Sequence, residues 1–126
     1  MSKALSTAER RRRAAAQALA NLDGSRSDHQ LVSLQCPHGH HVAAVVATPA
    51  GLVYVTRIGP HGHGSRDFVD TGHHGARGGD EYADLLAPSR EAAAELPAWC
   101  DCGPRTLSRD EVAGYAGSGQ RTVHLT

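Results

Sequence analysis

HVAAVVATPAGLVYVTRI, residues 41–58, is the stretch whose reading decides the fold. Two runs rich in Val, residues 42–48 and 52–58, flank Pro49-Ala50-Gly51. β-Branched side chains are stiff at χ1 and pack well on a pleated surface, so such runs favour strands. Proline presets φ for a turn and glycine supplies a positive φ. The stretch therefore predicts a β-hairpin, and the remainder of the chain is read outward from it.

Upstream, residues 30–35 alternate in part and predict a strand leading into Cys36-Pro37-His38-Gly39-His40. Before a polar linker at residues 24–28, Ser6-Thr7-Ala8-Glu9 matches a capping box, and helix-favouring residues follow as far as Leu22. Asp23-Gly24 is a stop signal. Ala8, Ala15, Leu19 and Leu22 give this helix only a thin apolar stripe. It also carries Arg10, Arg11, Arg12 and Arg13. Four adjacent residues wrap around a helix rather than lining one face, so the plain expectation is a solvated helix. The sharper one is a basic arm for an acidic partner or nucleic acid.

Downstream, residues 59–81 are rich in glycine and histidine and lack apolar periodicity, which predicts a long loop. A short helix is expected over residues 89–96, ended by Pro97, and a short strand over residues 105–107. Ser108-Arg109-Asp110-Glu111 is a second capping box, opening a helix that places Val112 and Tyr115 three apart. Gly117 and Gly119 close it, and residues 121–125 predict a final strand.

At 126 residues the chain suggests one domain. Its apolar content leans on alanine, with one Trp and one Phe, so the predicted core is thin. Apolar burial contributes roughly 25 cal/mol per Å², and alanine has little area to bury. Small domains of this kind commonly need a staple. Net charge is zero with histidines neutral, which gives no bulk electrostatic pull toward nucleic acid or membrane. Lys3 and the four arginines nevertheless make the first 24 residues basic and leave the rest acidic. No apolar run approaches the ~20 residues of a membrane span, and the first residues lack an apolar signal core, so a cytoplasmic location is expected.

In a reducing compartment, cysteines point to thiolates or metal rather than to disulfides. All three lie in two short glycine-containing segments, Cys36-Pro37-His38-Gly39-His40 and Trp99-Cys100-Asp101-Cys102-Gly103. Brought together, the segments supply thiolates and imidazoles, the donors a structural zinc ion prefers. The plain alternative is a small buried Cys36 and two free thiols at Cys100 and Cys102.

The Cys36-Pro37-x-Gly39 start resembles the knuckle of zinc-ribbon proteins, where backbone N–H groups point at a thiolate. Cys100-Asp101-Cys102-Gly103 resembles the second knuckle. The family usually has Cys-x2-Cys on each side. Here Gly39 stands three after Cys36, so His38 or His40 must serve, and the second pair has one intervening residue. The preferred ligand set is Cys36, His40, Cys100 and Cys102, with His38, His41, His73 or His74 as alternatives for the imidazole. Closing so long a loop costs only ~(3/2)RT ln n, while structural zinc supplies roughly 10–16 kcal/mol. Trp99, the single tryptophan, is expected to pack against the knuckle.

The expected fold is α+β. A small antiparallel β-sheet is stapled by a zinc site, with an N-terminal helix and a short C-terminal helix. Residues 1–24 form a basic helical arm, and residues 25–126 a zinc-ribbon-like β-rich domain with a Gly/His loop at about 59–81. The expected function is a non-catalytic, zinc-stabilised binding module for a protein or a nucleic-acid-containing complex. Such a module can be phage or mobile-element derived. A small-molecule substrate is not expected. The alternative is a metal-dependent hydrolase or nuclease using His61, His63, His73 and His74, with Asp67, Asp70 or Asp80 completing the site.

Overall fold

The computed structural model describes residues 6–57, 81–87, 92–100 and 102–125. Helix α1 spans Thr7–Ala20, and a 3₁₀ turn at Arg26–His29 leads into strand β1, Gln30–Gln35. Strands β2, His41–Thr48, and β3, Gly51–Arg57, form the expected hairpin. Then come β4 (Glu81–Leu85), β5 (Glu95–Cys100) and β6 (Gly103–Ser108). Helix α2 (Arg109–Ala116) and β7 (Thr122–His124) follow. The chain is thus α+β with an N-terminal and a C-terminal helix. Among the described residues, no helix is long and apolar enough to cross a membrane.

Strands β4-β3-β2-β1-β7 make one five-stranded sheet, and β5-β6 make a separate two-stranded one. The large sheet is mixed where an antiparallel one was expected, because β7 joins β1 in parallel, with Ser33 opposite Thr122 and Gln35 opposite His124. A second correction concerns residues 89–96. Glu95 and Leu96 are strand, and residues 88–91 lie outside the described part. From Leu96 onward the apolar positions Leu96, Ala98 and Cys100 recur every second residue and are the buried ones, a strand period that outweighs local helix propensity.

Each face of the large sheet has its own core. On one, Ala15, Ala18 and Leu19 of α1 pack against Val46, Val53, Val55 and Ala83. On the other, Val32, Leu34, Tyr54 and Val123 meet Leu96, Ala98 and Leu107 of the β5–β6 hairpin and Val112 of α2. Strands β2 and β3 are covered on both sides, which explains their nearly continuous apolar sequence. The hairpin is tied down by the Tyr54 hydroxyl, which donates to the Pro97 carbonyl at 2.7 Å.

The turns follow their sequence signals. Gly51 has φ +124° at the end of the Pro49-Ala50 turn. Thr48 closes that turn by donating Oγ1 to the Gly51 carbonyl and accepting from Ala50 N. Both capping serines act as expected. Ser6 and Glu9 bond reciprocally at the start of α1, and Ser108 accepts from Glu111 N at the start of α2.

At the β4 edge the two helices meet through a buried charge cluster. Asp84 and Arg109 are 5% and 3% exposed. Arg109 Nη2 donates to Asp84 Oδ2 at 3.0 Å, Nη1 to the Leu85 carbonyl at 2.6 Å and Nε to the Ala93 carbonyl at 2.7 Å. Tyr82 also donates to Asp84 Oδ2 at 3.2 Å, and Arg11 Nε of α1 lies 3.8 Å from Oδ1. Breaking such a pair leaves an uncompensated buried charge. Arg109→Met is therefore expected to cost about 3–5 kcal/mol of stability, read as a lowered urea midpoint.

Burial holds the pKa of Tyr54 above the ordinary phenol value. The folded state then keeps a proton that the unfolded chain releases near pH ~10, so stability falls as pH rises beyond that point. Thermal melts between about pH 9 and 11 are expected to show this alkaline loss, and Tyr54→Phe to make it shallower.

Candidate metal centre

Two hairpin tips build the site. The first is the β1–β2 connection. Gly39 N donates to the Cys36 carbonyl at 2.8 Å, and Cys36 N donates to the His40 carbonyl at 2.9 Å. Gly39 sits at φ +83°, a left-handed conformation that side chains rarely adopt. This tight turn aims the backbone N–H groups of His38 and His40 at the Cys36 sulfur. The second tip is the β5–β6 connection, where Cys100 pairs with Gly103 and Gly103 has φ +127°. Packing of β5–β6 onto the large sheet brings the two tips together.

The ligand atoms of Cys36, His40, Cys100 and Cys102 all lie within 4.8 Å of one another, and the group can hold a metal ion. In a tetrahedral zinc site with Zn–S of 2.3 Å, donors are about 3.8 Å apart, so a modest contraction suits one mononuclear ion. A two-metal cluster would spread its ligands over a wider span. His40 Nδ1 lies 3.3 Å from Cys102 Sγ, and His38 Nδ1 lies 3.4 Å from the same sulfur. His38 is exposed and stands outside the four-donor group. His41, the other nearby alternative, points elsewhere on β2, with Nδ1 3.3 Å from Ser33 Oγ. His73 and His74 lie outside the described residues, as do His61, His63, Asp67, Asp70 and Asp80 of the hydrolase alternative.

The thiols perturb one another in opposite senses. Burial opposes ionisation of Cys36. The N–H groups of His40 and His38, with hydrogen bonds from the Cys102 and Cys100 thiols, outweigh it and hold its pKa below the ordinary thiol value. Cys102 is raised, first by desolvation of its crowded sulfur and then by hydrogen bonding to and charge on Cys36, with Cys100 adding to both. Ionisation is thus favoured at Cys36 and opposed at Cys102.

Of the four arginines, α1 places two against the sheet. Arg11 donates to the Leu85 carbonyl at 3.0 Å and to the Ala87 carbonyl, and the Arg12 guanidinium lies 5.7 Å from the Tyr82 ring centre. Arg10 and Arg13 are exposed. Trp99 is half-buried next to Cys100. Sequence reasoning missed Asp84, Arg109 and strand β4. The signal for the strand was the alternation of Tyr82 and Asp84 with Ala83 and Leu85.

No family model, curated protein or solved structure matches the chain. The likeness to zinc ribbons therefore stays at the level of the two turns. The four-donor geometry distinguishes the two imidazoles. His40→Ala is expected to lose a ligand, and His38→Ala only an outer partner of the roughly 10–100-fold class. Competition against a chromophoric zinc chelator ranks the two affinities.

Proposed function

We propose that Cys36, His40, Cys100 and Cys102 bind a structural zinc ion, and that the chain is a non-catalytic binding module. The observation that carries this reading is the closed donor set: three sulfurs and one imidazole within 4.8 Å. Four protein donors fill a tetrahedral zinc and leave no position for a reacting water, which is the mark of structural rather than catalytic sites. Zinc there would join the β1–β2 tip to the β5–β6 tip, while the second, Tyr54–Pro97 tie holds the hairpin at its middle.

On the opposite face of the sheet, the exposed Arg10 and Arg13 of α1 offer positive charge to an acidic protein or to a nucleic-acid-containing complex. No aromatic residue interleaves these arginines, so stacking on bases is not part of the reading.

Elemental analysis of the purified chain is expected to find one equivalent of zinc. Chelation, or Cys36→Ser, is expected to abolish the cooperative melt, because the metal-binding energy is also folding energy. His63→Ala is expected to leave both metal content and melt unchanged. Zinc below a tenth of an equivalent, with folding indifferent to chelator, would sink the proposal.

A further inference from the structure

Access to the three sulfurs is lopsided. Cys36 and Cys100 are 1% and 2% exposed. Cys102 is exposed. A groove of about 360 Å³ beside the cluster is lined by all three cysteines, with His38, Pro104, Arg105 and Thr106 among its other walls. Cys102, the exposed one, is thus the sulfur that a small dissolved reagent reaches first without the fold opening. A metal ion keeps its cysteine ligands deprotonated at neutral pH, and the thiolate is the nucleophilic form.

We infer that Cys102 is a site of oxidation by hydroperoxides, and that its oxidation opens the metal centre. This rests on the zinc reading above. The Cys102 thiolate attacks one oxygen of hydrogen peroxide. An S–O bond forms, the O–O bond breaks, and the departing hydroxide takes a proton to become water. Cys102 is now a sulfenic acid and has lost its role as a thiolate ligand. The Cys36 thiolate, within the same 4.8 Å cluster, attacks the Cys102 sulfur. The S–S bond forms, the S–O bond breaks, and a second hydroxide is protonated. Two thiolates, one peroxide and two protons give one disulfide and two waters, with two electrons passing from sulfur to oxygen.

Cys36 is the resolving partner for a geometric reason. Cys100 and Cys102 are one residue apart at a hairpin tip, and a bridge between them would close a small, strained ring. A Cys36–Cys102 bridge instead links the same two tips that the metal links. Cys100 and His40 then remain, half of a tetrahedral set, and zinc leaves. A thiol reductant reverses the step by exchange.

The test uses the full chain, its zinc content first measured by elemental analysis. Hydrogen peroxide is added with a chromophoric zinc chelator, a sulfenic-acid trap and peptide mapping of disulfides. Expected are loss of the full zinc complement, Cys102 as the first trapped residue, and Cys36–Cys102 as the bridge. Dithiothreitol with added zinc should restore the starting state. Zinc retained through the treatment, or Cys36 or Cys100 trapped ahead of Cys102, overturns the inference. A metal-free starting protein overturns the zinc reading and with it the release step. The trapping order then settles by itself whether Cys102 is the oxidation site.

Discussion

Three ionisable sulfurs held within 4.8 Å of one another cannot all carry charge unless a cation joins them. The opposite pKa shifts carry part of that constraint: the His40 and His38 N–H groups outweigh burial and lower Cys36, while burial first and then the hydrogen bond to and charge on Cys36 raise Cys102. Everything nearby is arranged to keep the sulfurs together all the same. Gly39 and Gly103 take up positive φ so that both hairpin tips can turn toward one point. The pleat of β1 puts Cys36 on the same face as Val32 and Leu34, and that of β5 puts Cys100 on the same face as Leu96 and Ala98. The apolar contacts that seat one sheet on the other thus also aim the thiols.

The second organising element is polar and lies at the β4 edge. An edge strand presents unpaired backbone groups that proteins ordinarily need to cover. Here Arg11 and Arg109, from helices on opposite faces, both donate to the Leu85 carbonyl, and Asp84 lies between their charges. The Arg109 side chain ties Asp84 and Leu85 of β4 to the Ala93 carbonyl ahead of β5, so the cluster specifies how α2 sits as much as it stabilises it. A thin Val- and Ala-rich core can tolerate small shifts, whereas a buried guanidinium spread over a carboxylate and two carbonyls has one good geometry.

Much of this was legible because the signals were local. The β2–β3 hairpin announced itself through β-branched runs around Pro49-Ala50-Gly51, both helix starts through their capping serines, and the four clustered Cys and His side chains through residue type and the glycine turns. What was not legible depended on distant partners. Arg11 looked like one of four solvated arginines because nothing in its neighbourhood names Asp84. Residues 95–96 carried helix propensity, and only pairing with β6 makes them strand. The parallel placement of β7 follows from a gap beside β1 on the sheet, which no window around residues 122–124 contains. The same holds for α1, whose thin stripe was sufficient because Ala15 and Ala18 let the helix approach the sheet closely.

The β1–β7 pairing also has a bearing on how the molecule comes to be folded. Strand β1 has β2 as an adjacent partner in sequence, but its other edge is filled only by residues drawn from the far part of the chain. The thiol cluster is non-local in the same way, joining residues 36 and 40 to residues 100 and 102. Several long-range closures, β3 with β4 and β1 with β7 among them, therefore stand between the β2–β3 hairpin and the finished fold, and such closures must meet their entropy cost before their contacts form. Folding of this chain is set to be slow for its size, with the unpaired edge of β1 as the surface left open while it waits.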